Sequence, residues 1–203
     1  MTATTTTTDT VYATPAEAGE ARWWWGWLAV IKLTGEHTDG RLTVVEVTIP
    51  PRRMCPPHVH HREEETFVVL DGHATFYIGE QQVEAGPGDM IVGTRDLPHH
   101  FQAGDEGARL LFLLTPSGLE GLIREQSVPA TQRTLPPKGA VPPPDLDAMR
   151  QIARNTAASY SPDGGCARWA VPTHIYSATV PRRSAISSNR LRCTPMRQMS
   201  CLI

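Results

Sequence analysis

Apolar and polar residues alternate from Leu42 to Ile49 until Pro50-Pro51 interrupts them, which predicts a strand with one buried and one wet face. Short runs of similar character follow at Thr66–Leu70, Ala74–Ile78, Gln82–Ala85, Met90–Val92 and Arg109–Thr115. Between them stand turn formers: Asp71-Gly72, Gly79, Gly86-Pro87-Gly88 and Gly104. Upstream, residues 22–33 read as one strand, in which Trp23, Trp25 and Trp27 share a face suited to core or dimer-interface packing. Short strands at regular spacing indicate an all-β sandwich or barrel. The pattern changes after Pro116. Gly118–Gln126 predicts a short helix, residues 136–144 a stiff proline-rich linker, and Asp145–Asn155 a second helix opened by an acidic cap. The threonine-rich start, residues 1–21, is expected to be a disordered arm, and residues 161–203 show no sustained period and are expected to be poorly ordered.

Composition narrows the class. The 203 residues suffice for one domain with extensions. Sixteen Gly and 18 Pro with 6% aromatics fit a turn-rich β protein better than a helical bundle. A net charge of −2 argues against a general nucleic-acid binder, and no helix-turn-helix pattern accompanies the strands. The charge is uneven, because residues 161–203 hold six Arg against one Asp, giving a basic tail on an acidic body. No apolar run approaches the roughly 18 residues of a membrane span. The N-terminus shows no secretory apolar segment, so a cytoplasmic location is expected. The four cysteines, at 55, 166, 193 and 201, form no Cys-x-x-Cys pair and suggest a reduced setting.

Chemistry concentrates in the stretch from Pro56 to Phe67. His58 and His60 are two apart, so on a strand their rings point to one side and can converge on a metal. Glu65 opens the next strand and can return an oxygen to that side, and His99 supplies a third imidazole from a later strand end. His61 and His100 have opposite parity and are expected in solvent or behind the site. Glu63 and Glu64 read as a solvated turn. Each residue alone has an ordinary explanation as surface or charge run, but the combination favours one divalent transition metal: Fe, Mn, Ni, Co, Cu or Zn.

These residues carry a resemblance. The chain resembles the cupin superfamily, whose first motif, Gly-x5-His-x-His-x3–4-Glu-x6-Gly, is seen here as His58, His60, Glu65 and Gly72. The second, Gly-x5-Pro-x-Gly-x2-His-x3-Asn, is seen as Gly88 and His99, with 15 residues between Gly72 and Gly88. Arg52 stands at the first motif's opening Gly, Thr94 and Asp96 at the second motif's Pro and Gly, and Ala103 at its final Asn. These are turn positions, and all four ligand positions are kept. The resemblance covers about residues 26–117 and is nearest to single-domain quercetin 2,3-dioxygenase-like cupins. It implies a jelly-roll β-barrel over residues 22–117, a helical and proline-rich extension over 118–160, and flexible termini.

It further implies a metal-dependent dioxygenase of secondary metabolism acting on an aromatic, flavonol or polyketide-like small molecule. Glu65 would be both ligand and proton acceptor. Parity places Met54 with His58, Phe67 and Val69 with Glu65, and Phe101 with His99 as a substrate pocket, although ordinary barrel filling explains these residues equally. A non-oxidative cyclase or isomerase using the metal as Lewis acid, and a non-catalytic binding protein, remain as alternatives. A homodimer is expected through the tryptophan-rich segment, because so much aromatic surface needs a cover.

Overall fold

In the computed structural model, which describes residues 11–141 and the backbone of 158–160, the tryptophan-rich stretch is a hairpin and not one strand. Strands β1 (Glu20–Trp24) and β2 (Trp27–Leu33) are joined by Trp25 and Gly26, whose φ values are 56° and 87°. Two successive positive φ values match the right-handed twist of the flanking strands, and Gly26 adopts its value without strain. The reversal also corrects the parity. Trp24 pairs with Trp27 and joins Trp25 in the main core, whereas Trp23 faces the other way with Leu28 and Val30. All four indoles are buried within the chain itself. Their cover is the chain's own core, and they leave no exposed aromatic surface that calls for a second subunit.

A short helix α1 (Gly35–Thr38) leads into β3 (Thr43–Ile49), whose Val45, Val47 and Ile49 face inward and whose Glu46 and Thr48 face outward. The strands β4 (His58–His60), β5 (Glu64–Ile78), β6 (Gln81–Ala85), β7 (Met90–Gly93) and β8 (His99–Thr115) follow. After them come helix α2 (Leu119–Glu125), β9 (Ser127–Pro129) and β10 (Ala158–Tyr160). Among the described residues all strand pairs are antiparallel, and the fold is the expected all-β roll; α2 is the helix expected over 118–126, whereas α1 was not foreseen. The helix expected over 145–155 and the basic tail lie outside the described residues, as do residues 1–10 of the N-terminal arm. Within that arm, Thr14 Oγ1 donates to the Lys32 carbonyl and Lys32 Nζ to the Ala18 carbonyl, and β1 begins at Glu20.

Two long strands dominate. β5 pairs with β8 in two arms, Glu64–Val69 against Leu110–Thr115 and Ala74–Ile78 against His99–Ala103. The Asp71-Gly72 signal, read from sequence as a chain reversal, is instead a bend between two irregularities in this ladder. Gly72 has φ +69°, and a Cβ there would collide with the carbonyl oxygen of Gly107. β7 covers the first arm of β5 and β6 the second, so the bend is a corner of the barrel. Phe67, Phe76, Phe101 and Phe112 fill the interior with ring centroids 5.1–5.9 Å apart.

At one end α2 turns its Glu120 inward. The carboxylate accepts the Thr43 hydroxyl, the Gly35 N–H at 2.7 Å and the Gly118 N–H at 2.9 Å. Burial disfavours its ionised form, but these donors outweigh burial and hold Glu120 below its ordinary range. No helix among the described residues is long and apolar enough to cross a membrane.

Candidate metal centre

β4 is only three residues long, and its alternation puts His58 and His60 on one side. It is held by the pairing of His58 with His99 of β8 and, along its other edge, by β10. A turn over residues 61–63 then brings β5 back, so that Glu65 faces the same space.

The four residues meet closely. Nε2 of His58, His60 and His99 lies 3.6, 3.3 and 3.2 Å from Oε2 of Glu65. One donor atom from each residue lies within 4.8 Å of all the others, and all four side chains are buried. The far nitrogens point outward. His58 Nδ1 faces the Pro56 carbonyl at 2.9 Å, and His99 Nδ1 faces the Leu97 carbonyl at 3.0 Å. A carbonyl only accepts, so in these two rings Nδ1 carries the proton and Nε2 presents its lone pair to the centre. His60 differs, because Oε2 of Glu63 lies 3.5 Å from its Nδ1.

Charge in the cluster is strongly perturbed. Burial disfavours ionisation of Glu65, yet the three imidazoles outweigh it and hold the carboxyl well below the usual range. Burial, reinforced by His99, lowers His58 to about 4. Burial also opposes charge on His60, but Glu63 and Glu65 prevail and raise it to about 9. A buried pocket that draws a proton onto an imidazole is short of positive charge. Three nitrogens and one carboxylate oxygen fit a divalent transition metal, with positions left over for a substrate oxygen. Cys55 lies beside the site, its Sγ 3.8 Å from His58 Nδ1. Burial first, and Glu65 second, push its thiol up, so it remains a thiol and not a thiolate ligand.

The other expected residues divide. Phe67, Val69 and Phe101 are fully buried in the core, and the Phe67 ring lies 6.2 Å from that of His99. Phe67 is the hydrocarbon packing beside the His99 ring, and Phe101 packs on Phe67 in the same core cluster as Val69. Met54 is not brought to them; it is 52% exposed and bridges to Gln102. His61 faces solvent beside Asp96 at 2.7 Å, and His100 stacks on Tyr77, as opposite parity predicts.

Glu63 is a correction. Expected in a solvated turn, it is 5% exposed, against His60 and beside Gly118, where a Cβ would stand 3.4 Å from Oε1. Its neighbour Glu64 does reach the surface and pairs with Arg95 at 3.2 Å. The available signal was parity, since Glu63 and Glu65 are two apart, but three consecutive glutamates masked it.

Residues 45–114 match a family model described as a cupin domain. A curated relative, the quercetin 2,3-dioxygenase of Bacillus subtilis (strain 168), is 26% identical over 89 residues. That alignment covers 44% of this chain and spans only 26% of the relative's length. Among solved structures, an RmlC-like cupin from Shewanella frigidimarina NCIMB 400 is 14% identical with a TM-score of 0.48, covering 55% of this chain and 96% of that one. A predicted oxalate decarboxylase from Thermotoga maritima is 15% identical with a TM-score of 0.47, covering 53% and 100%.

Proposed function

Because the chain belongs to the cupin superfamily through residues 45–114, we propose that it is a metal-dependent oxygenase of an aromatic, flavonol or polyketide-like small molecule. One divalent transition metal would be held by His58, His60, Glu65 and His99. The observation that carries this reading is the convergence of three imidazole Nε2 atoms on one buried carboxylate oxygen. When bound, such a metal supplies Lewis acidity, which stabilises an anionic substrate oxygen and prepares the substrate for dioxygen.

The chain's own residues do the rest. His58 and His99 present fixed nitrogen donors, because the Pro56 and Leu97 carbonyls hold their far sides. Glu65 contributes negative charge, and a carboxylate oxygen of this group can accept the proton of a phenol or enol as the substrate binds. Phe67, backed by Phe101, keeps water from the core side of the His99 ring. The quercetin dioxygenase relative supports the oxygenase reading.

An oxygen electrode tests it. Protein loaded in turn with Fe(II), Mn(II), Co(II), Ni(II) or Cu(II) is offered flavonols and polyketide-like phenols. Oxygen uptake matched to loss of flavonol absorbance is expected. Turnover without oxygen uptake replaces the oxygenase by a cyclase or isomerase, and no turnover with any metal removes the enzymatic reading.

A further inference from the structure

We propose that Glu63 is a positioning residue for His60, its carboxylate holding the Nδ1–H of that ring so that Nε2 is aimed at the metal and strengthened as a donor. The inference rests on the metal reading above and asks what builds that centre. Each of the three imidazoles turns Nε2 inward, and each needs an acceptor behind it to fix the tautomer and the ring angle. Two have backbone carbonyls, from Pro56 and Leu97. The third has no carbonyl. His60 Nδ1 is buried without a hydrogen bond in place, and the group facing it at 3.5 Å is Oε2 of Glu63.

Glu63 has little other reason to be inside. A buried carboxylate is costly unless it faces a donor or a positive charge. Its contact with Arg62 is long, 3.7 Å from Nε to Oε1, and the Arg62 side chain is half-exposed with its own bond to the Ser117 carbonyl at 2.8 Å. Its Oε1 lies against Gly118, 3.4 Å from where a Cβ would stand, and meets no donor there. What remains is the His60 ring, on the side away from the metal donors. A carboxylate accepts more strongly than a carbonyl, so His60 becomes the most electron-rich nitrogen donor of the three. The site also gains a second negative charge beside Glu65.

The test uses Co(II) alone. Full-length protein freed of metal with a chelator is titrated by calorimetry and followed by visible absorption, for the wild type, Glu63→Ala, Glu63→Gln and Glu64→Ala. Wild type and Glu64→Ala are expected to behave alike. Glu63→Ala is expected to weaken Co(II) binding about 10- to 100-fold, the range for groups that orient a metal ligand, and to shift the visible bands. Glu63→Gln keeps an acceptor but drops the charge and is expected to fall between, and it carries the test if the alanine variant does not fold. Thermal unfolding of the metal-free proteins separates a plain stability role. A lower melting temperature with unchanged Co(II) affinity and spectrum overturns the proposal while leaving the metal reading intact. Failure of the wild type to take up Co(II) overturns both.

Discussion

Oε2 of Glu65 and Nε2 of His99 stand 3.2 Å apart across 34 residues of chain, and the same oxygen faces His58 and His60. If a metal occupies this point, each imidazole is a direct donor. His58→Ala, His60→Ala and His99→Ala should each lower metal affinity by well over the roughly 10-fold seen when only an outer partner is lost. Elemental analysis after gel filtration should fall from about one ion per chain to a small fraction. Full metal content in all three variants places the ion elsewhere.

Glu65→Gln separates binding from chemistry. Glutamine preserves shape and one oxygen donor but is not a base. Turnover should fall by about 100-fold or more, the usual range for a lost general base, with a smaller loss of metal. Parallel loss of metal and turnover would make Glu65 a ligand only.

The metal should compete with a proton. In the metal-free cluster His60 is raised to about 9, whereas His58 is lowered to about 4 and is already neutral near neutral pH. Binding must therefore expel a proton from His60, and affinity should rise with pH through the neutral range and level off near 9. Calorimetry in buffers of different ionisation enthalpy counts that proton. Release of none near neutral pH contradicts the assignment.

Glu120 makes a stability prediction. Its folded pKa lies below the ordinary 4.5, so its contribution is present above that value and disappears as pH falls through the folded pKa. Glu120→Gln replaces one of the two accepting oxygens by an amide NH2, which then faces either the Gly35 N–H or the Gly118 N–H and the Thr43 hydroxyl, and should cost about 1–3 kcal/mol near neutral pH. The deficit should shrink in acid. Denaturant melts at two pH values check both points, and a deficit independent of pH refutes the charge argument.

Gly72→Ala should be among the harshest single-methyl changes in the chain. It combines φ +69° with a methyl driven into the Gly107 carbonyl. A left-handed alanine alone costs about 1–2 kcal/mol, and the collision adds to it. An unchanged melting temperature would show that the corner relaxes freely.

Much of this was legible in sequence because it depends on period and spacing. The His58-x-His60 pair, Glu65 and His99 are brought together as strand alternation requires. What escaped depends on backbone dihedral angles that side-chain pattern does not encode. Trp25 in a left-handed conformation turns one expected strand into two and reverses which indoles share a face. Asp71-Gly72 looks the same in sequence whether it reverses a chain or bends a strand; the difference lies in how β8 pairs across it. Glu63 was hidden by the opposite problem, a run of three identical residues of which only the middle one reaches a surface partner.

The bend at Gly72 has a mechanical consequence. β5 carries Glu65 near its first residue and pairs Ile78 with His99 at its last. Were the strand straight, those positions would sit about 40 Å apart at roughly 3.3 Å per residue. Instead Glu65 and His99 touch, because the strand doubles round its corner and brings its two ends to one seam. An ion gripped there would act as the buckle of a belt, tying start to finish of a single folded ribbon. Unbuckled by a chelator, the roll should loosen from the seam inward, with amide exchange rising first at Glu64–Thr66 and His99–Phe101 and last around the corner itself.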